Sequence, residues 1–215
     1  MTHQTVGEEI ANSIVHALGA ALAVASLATL VTLAALRGDA RHVVGCAVFG
    51  AALVAMFTSS TLYHATTNRR VKGVLRVIDH SAIYLAIAGT YTPFVLVSLR
   101  GAWRWTLLGV VWGAAAAGIA IAATISRRLG ALRVAIYVAM GWVGIVAFRP
   151  LLASLGTGGM GLVIGGGLVY TLGVAVYAWR GLRYHHAVWH AFVLGGSALH
   201  VLAVLWYVIP RPPGS

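Results

Sequence analysis

Charged residues are scarce in this sequence, and acidic residues are the scarcest. Only 4 of the 215 residues are Asp or Glu, and all charged types together make up 9% of the chain. An ordinary soluble domain carries about a quarter charged residues, whereas 60% of this chain is hydrophobic. The composition therefore excludes a water-soluble fold and indicates an integral membrane protein.

Cysteine is nearly absent as well. The single cysteine, Cys46, excludes an intrachain disulfide. Its place in an apolar stretch favours a small packed side chain over a redox role. Residues 1–13 are polar and carry Glu8 and Glu9, and the apolar run after them is long enough to span a membrane. This pattern argues against a cleavable signal peptide and predicts that the run stays as the first helix.

Long apolar segments separated by basic, Gly- or Pro-containing breaks fill the chain. A membrane-spanning helix needs about 20 mostly apolar residues, and seven segments meet that length. We therefore predict an all-α integral membrane protein with one domain over 1–215, a cytoplasmic amphipathic segment at 1–13 and a short tail at 210–215. The predicted spans cover about 14–36, 43–65, 76–99, 104–125, 132–149, 159–179 and 187–209.

The net charge of +11 comes from basic residues scattered among the loops. Such residues set topology and meet anionic head groups, so we expect membrane lipids and no nucleic acid as partners. Nine of them follow the second, fourth and sixth spans, and six lie on the other side. The bias predicts a cytoplasmic N-terminus and an outer C-terminus, in a bacterial plasma (inner) membrane. The nine are Arg69, Arg70, Lys72, Arg76, Arg127, Arg128, Arg133, Arg180 and Arg183, and the six are Arg37, Arg41, Arg100, Arg104, Arg149 and Arg211.

The few ionisable side chains within the spans fall at one predicted depth. His64 ends the second span, Asp79 opens the third, and His186 and His190 open the seventh. His186 and His190 are four residues apart, so both project from one helical face and can share a metal ion. Three imidazoles with an open fourth position are typical of a catalytic Zn²⁺ site. We therefore predict zinc bound by His64, His186 and His190.

Two further residues are candidates for catalysis. Asp79 could orient a reacting water and accept its proton, or it could form a salt bridge with Arg76 or an interhelical hydrogen bond. Ser60 lies one helical turn before His64 and shares its face. Its hydroxyl could bind a polarised carbonyl or position Asp79, although a serine in a span usually serves packing.

The remaining histidines, two glycine motifs and one proline of the spans are expected to lie outside the ligand set or to shape the helices. His200 lies about 15 Å along the helix from His190, too far for the same metal, and His80 points to another face than Asp79. His16 could support the site from outside the ligand set. We expect the Gly109-Val-Val-Trp-Gly113 and Gly161-Leu-Val-Ile-Gly165 motifs to pack helices closely. Pro93 should kink the third helix.

These segments resemble, in order along nearly the whole chain, the hemolysin III branch of the progestin and adipoQ receptor family. The matching blocks are Glu8-Glu9-Ile-Ala-Asn12-Ser13, His16-Ala-Leu-Gly19, Ser59-Ser60-Thr-Leu-Tyr63-His64, Ile78-Asp79-His80, Ala88-Gly89-Thr90-Tyr91-Thr92-Pro93-Phe94, Tyr184-His185-His186-Ala-Val-Trp-His190, Gly195-Gly196-Ser197 and His200. The resemblance implies seven helices with the N-terminus inside and Zn²⁺ on His64, His186 and His190. It also implies that Asp79 contacts the water at the zinc and that Ser60 is the serine of the site. Related alkaline ceramidases share this constellation and hydrolyse a lipid amide.

Three functions remain open from the sequence. The first is a zinc-dependent hydrolase of a lipid amide or ester in the membrane, with Asp79 as general base and Ser60 steadying the developing oxyanion. The second is a non-catalytic sensor or regulator of membrane lipid state, in which zinc only clamps the helices. The third is a cytolytic protein of the hemolysin type, which ranks last because the spans offer no polar stripe suited to a pore.

Overall fold

The structure is a computed structural model that describes residues 5–124 and 130–210. Its regular elements are all helical across these ranges, which confirms the all-α prediction. Arg127, Arg128 and Arg211, which were counted in predicting the orientation, lie outside the described residues. The helices are α1 (Val6–Arg37), α2 (Ala40–Ala65), α3 (Arg69–Pro93), α4 (Gly101–Thr124), α5 (Gly130–Trp142), α6 (Phe148–Ala178) and α7 (His185–Ala203).

Six helical stretches of the described residues are long and apolar enough to cross a membrane. They are Val6–Arg37, Ala40–Ala65, Arg69–Ser98, Gly101–Ala123, Gly130–Ala178 and His185–Val208. The third and sixth of these include wider π-helical turns, Phe94–Ser98 after α3 and Val204–Val208 after α7. The chain is therefore a multi-pass membrane protein.

The predicted fifth and sixth spans do not separate as two distinct helical stretches. Both fall within Gly130–Ala178, a stretch of 49 residues. The helical path within it tightens to a 3-10 segment at Val143–Ala147 and breaks at Gly156, whose φ is 66°. Glycine suits this break because it lacks the Cβ that penalises a positive φ.

The chain reverses direction inside this stretch. The Trp142 indole donates a hydrogen bond of 3.0 Å to Thr171 Oγ1, although 29 residues separate them. A straight helix would hold these residues about 43 Å apart. The end of α5 therefore lies beside the second half of α6.

Two helices begin earlier than the hydropathy pattern predicts. We expected α1 from about residue 14, but it begins at Val6 because Thr5 and Glu8 form a capping box, which satisfies the first free backbone amides. We expected α3 from about residue 76, but Asn68 caps it and it begins at Arg69. Asp79 therefore lies well inside α3 instead of opening it.

Glycines bring the packed helices together, but not the glycines that the sequence motifs indicated. A Cβ added at Gly50 of α2 would lie 2.6 Å from Leu27 Cδ1 of α1, and one at Gly89 of α3 would lie 2.6 Å from Ala52 Cβ of α2. Gly109, Gly113 and Gly161 have no neighbouring helix atom within 4 Å of such a Cβ among the described residues, and Gly165 makes only an ordinary contact with Leu199 Cδ1 at 3.8 Å. The prediction that these motif glycines mediate close packing was wrong. The spacing of two glycines does not reveal which face of their helix meets a neighbour.

We expect Gly89→Val to destabilise the bundle. The new side chain would collide with Ala52, which is fixed to the α2 backbone, and overpacking of this kind costs about 1–3 kcal/mol. Gly113→Val is the matched control, because open space surrounds that position among the described residues. Thermal unfolding in detergent should show a lower midpoint for Gly89→Val alone, and equal midpoints for both variants would contradict this packing.

Candidate metal centre

Three histidines from two distant parts of the chain meet at one end of the bundle. His64 lies in the last turn of α2, and His186 and His190 lie in the first turns of α7. One ring nitrogen of each lies within 4.8 Å of the others. This group could hold a metal ion.

The spacing of two ring nitrogens fits a tetrahedral metal. His190 Nε2 and His64 Nε2 lie 3.3 Å apart. Two nitrogens bound to one tetrahedral zinc at about 2.0–2.1 Å would lie about 3.4 Å from each other. The ring centroids of His186 and His190 are 4.4 Å apart, so the third imidazole is close enough to complete the set.

The start of α7 places the histidine pair. Tyr184, the residue before the helix, adopts a left-handed conformation with φ of 59°, which is uncommon for a residue with a side chain. The His185 amide donates to the Leu182 carbonyl at 3.2 Å, so the chain turns directly into the helix. Tyr177 and Trp189 then pack against the His186 ring, with centroids at 5.5 and 5.1 Å.

The surroundings of His64 fix which of its nitrogens faces the cluster. Its Nδ1 lies 2.7 Å from Glu9 Oε2 and 3.4 Å from Asn12 Nδ2, so Glu9 is its closer partner. An ionised carboxylate only accepts hydrogen bonds, so Nδ1 carries the hydrogen. His64 Nε2, which faces His190, is therefore left with a free lone pair, as a metal ligand requires.

His16 adjoins the cluster from α1. Its ring is 3% exposed and meets the His190 ring edge-on, with centroids 3.8 Å apart. Within residues 5–124 and 130–210, neither ring nitrogen of His16 nor Nδ1 of His190 has a hydrogen-bond partner. Because buried polar atoms without partners are costly, the centre suits a polar or cationic ligand.

Asp79 and Ser60 lie beside this cluster. Both residues line a cavity of about 450 Å³ together with His16 and His190. The sequence left open whether Ser60 binds a carbonyl or positions Asp79, and either role is compatible with its place on the cavity wall.

The cavity runs along the bundle away from the histidines. Its walls are mostly apolar and come largely from α3, α5, α6 and α7. From Asp79 in α3 to Phe94 in the π-helical turn after it, both of which line the cavity, the helix rises about 22 Å. The cavity therefore joins a polar end at the histidines to a long apolar channel.

The two other candidate histidines lie apart from the cluster. His200 lines the far part of the cavity, where Nε2 lies 3.2 Å from the Val163 carbonyl oxygen and the ring stacks on Tyr170. His80 Nδ1 bonds the Arg76 carbonyl of its own helix at 2.6 Å. Neither belongs to the group that could hold the metal.

Sequence reasoning missed Glu9 as part of the site. We assigned it to a polar segment before the first span and expected Asp79 to be the only acid within the spans. In the structure, Glu9 lies in the first turns of α1, and its carboxylate contacts His64 and Lys72. The pattern Thr5-Val-Gly-Glu8 is a capping-box signature and could have placed the helix start before Glu9.

Comparisons with known proteins identify the family of this chain. Residues 4–201 match the family model described as haemolysin-III related. The chain is 43% identical to the "Hemolysin-3 homolog" of Bacillus subtilis (strain 168) over 208 residues, covering 97% of this chain and 98% of the relative. It is also 43% identical to "Hemolysin-3" of Bacillus cereus, covering 96% of this chain and 94% of the relative. The human "Monocyte to macrophage differentiation factor" is 28% identical, covering 97% of this chain and 87% of the relative.

We expect the purified protein to bind about one zinc ion per chain, because three imidazoles match the ligand set of catalytic zinc sites. The double variant His186→Ala/His190→Ala should lose the metal, since one imidazole cannot hold it. His42→Ala, which removes an imidazole outside the cluster, should keep it. Elemental analysis of detergent-purified protein checks this, and zinc retained by the double variant would contradict the site.

Proposed function

Because this chain belongs to the haemolysin III family, a branch of the progestin and adipoQ receptor group, we propose that it is a zinc-dependent hydrolase of a lipid amide or ester. The observation that carries the proposal is the buried three-histidine group beside a carboxyl group and an apolar cavity. A hydrolase for lipids needs a polar reaction centre joined to a space for a hydrocarbon chain. This end of the bundle offers both.

The proposal includes seven membrane spans, with the N-terminus in the cytoplasm and the C-terminus outside, in a plasma (inner) membrane. The reversal inside Gly130–Ala178 supports two crossings there. Residues 130–147 would extend about 30 Å, and residues 157–178 about 33 Å, close to the hydrocarbon thickness of a bilayer. The excess of basic residues after the even-numbered spans supports the orientation.

His64, His186 and His190 would hold the metal. Zinc, when bound, supplies a Lewis acid that activates water and polarises a carbonyl near neutral pH. Each histidine contributes a neutral imidazole, so the centre keeps its positive charge for these tasks. The apolar helices around it exclude bulk water, which strengthens every charge interaction in the site.

Asp79 would act as the general base. Its carboxylate oxygen takes the proton from the attacking water and returns it to the leaving group. The Ser60 hydroxyl has one hydrogen to donate. Ser60 lines the same cavity as Asp79, and its hydrogen would either orient the Asp79 carboxylate or steady the developing oxyanion.

The cavity indicates one extended acyl chain as the apolar part of the substrate. Its volume of about 450 Å³ falls within the range of small-molecule pockets. Its length of about 22 Å along α3 exceeds the hydrocarbon depth of one leaflet, about 15 Å. Membrane lipids are therefore the proposed partners, and we propose a role in membrane lipid homeostasis.

A non-catalytic sensor of lipid state is the second candidate. The histidine group ties α2 to α7, and Glu9 adds α1, so a metal there would also clamp the helices. In that case a lipid in the cavity would change the packing of the bundle without being cleaved. The names of the bacterial relatives raise cytolysis as a third candidate, but the mostly apolar cavity lining does not favour a pore.

We expect Asp79→Asn to lower fatty-acid release from bacterial lipid extracts by at least about 100-fold, because it removes the general base. Its zinc content should not change, since Asp79 is not a proposed ligand. Asp39→Asn is the matched control, because Asp39 caps α2 away from the site and Asn caps helices equally well. Mass spectrometry of released fatty acids checks the result.

The outcomes separate the two main candidates. The hydrolase proposal is supported if the wild type and Asp39→Asn release fatty acids and Asp79→Asn does not. Equal release by the wild type and Asp79→Asn contradicts it, and zinc-loaded protein that releases nothing favours the sensor.

A further inference from the structure

One carboxylate links the candidate metal centre to the edge of the bundle. Glu9 Oε2 lies 2.7 Å from His64 Nδ1, and Glu9 Oε1 lies 2.7 Å from Lys72 Nζ. The His64 side chain is 2% exposed, whereas those of Glu9 and Lys72 are 25% and 26% exposed. Residues of α1, α2 and α3 thus form a chain of contacts from the interior outward.

The bond from Glu9 has a direct consequence for His64. A neutral imidazole carries its hydrogen on either nitrogen, and only the other nitrogen can bind a metal. By accepting the hydrogen of Nδ1, Glu9 holds Nε2 free and turned toward His190. A carboxylate in this position also raises the basicity of the ring, and such partners typically affect metal affinity by 10- to 100-fold.

Charge adds a second effect. A divalent ion held by three neutral imidazoles keeps its full charge in a region of low dielectric, where nearby charges interact strongly. The Glu9 carboxylate is separated from that centre by the single ring of His64. Its negative charge therefore stabilises the loaded centre more than the empty one.

Lys72 fixes Glu9 in this position. Its ammonium group binds the second carboxylate oxygen and lies 5.1 Å from the centre of the Tyr63 ring. Tyr63 directly precedes His64 in α2, so Lys72 contacts the same turn of helix that carries the ligand. Because Lys72 is partly exposed, its ion pair is weaker than the buried bond it supports.

We propose that Glu9 is a positioning residue of the metal centre, which sets the tautomer and orientation of His64, and that Lys72 holds Glu9 in place. The inference rests on the proposed zinc site and deepens it. It assigns a role to a residue that touches neither the metal nor the substrate. It also gives a role to one of the only 4 acidic residues in the chain.

The test is the zinc affinity of purified full-length variants, measured by competition with a chromogenic chelator. Glu9→Gln removes the charge but keeps an oxygen that can accept from His64, so we expect affinity to fall about 10-fold. Glu9→Ala removes both charge and acceptor, and the loss should approach about 100-fold. Lys72→Met should lower affinity only a few-fold, about 2- to 5-fold, as expected for a partly exposed ion pair.

Glu8→Gln is the matched control. It changes the same charge one position away on α1, but Glu8 bonds Thr5 at the helix start and does not contact His64. We expect its zinc affinity to equal that of the wild type.

A merely structural role for Glu9 gives a different result. If Glu9 only ties α1 to its neighbours, Glu9→Gln would lower the unfolding temperature of the metal-free protein and leave zinc affinity unchanged, which would overturn the inference. Absence of zinc binding in the wild type would overturn the proposed zinc site itself. The two failures are therefore distinguishable.

Discussion

The contact between His64 and His190, whose Nε2 atoms lie 3.3 Å apart, joins the second helix of the chain to the last. Polar rings placed deep in an apolar bundle are costly unless other groups satisfy them. Here the rings of four histidines converge, and some of their nitrogens lack partners among the described residues. A metal ion would turn this cost into a bond that holds α2 and α7 together.

The rest of the bundle serves this convergence. Close glycine contacts hold α1 on α2 and α2 on α3, which fixes the heights at which His16, His64 and Asp79 enter the site. The reversal between Trp142 and Thr171 brings α5 and α6 around the opposite side and leaves the apolar cavity between them. The same packing thus positions the polar end and shapes the space for a hydrocarbon chain.

The histidine group was accessible from sequence because two simple rules locate it. The hydropathy pattern places His64 at the end of a span and so predicts its depth in the membrane. The four-residue spacing of His186 and His190 predicts that both side chains project from the same face of their helix. Glu9 was not accessible in this way, because hydropathy ends a span where polar residues begin, whereas the helix continues through them to its cap at Thr5. The start of α3 was misplaced for the same reason, since Asn68 caps a basic turn that hydropathy assigns to a loop.

Helix contacts were the least predictable part of the fold. Gly109 and Gly113 have the spacing of a packing motif, but close approaches occur at other glycines, among them Gly50 and Gly89, which have no glycine four residues away. Which face of an apolar helix meets a neighbour depends on the whole bundle, because every face is hydrophobic. The break at Gly156 was also hidden, since many glycines in this region continue the helix without interruption.

X-ray absorption at the zinc edge of the purified protein tests the central claim most directly. If His64, His186 and His190 hold the metal, the spectrum will show about three imidazole nitrogens at about 2.0–2.1 Å and one further light atom. Imidazole scattering will be absent if the claim is wrong, and the spectrum will instead show sulfur ligands or a shell of oxygens alone.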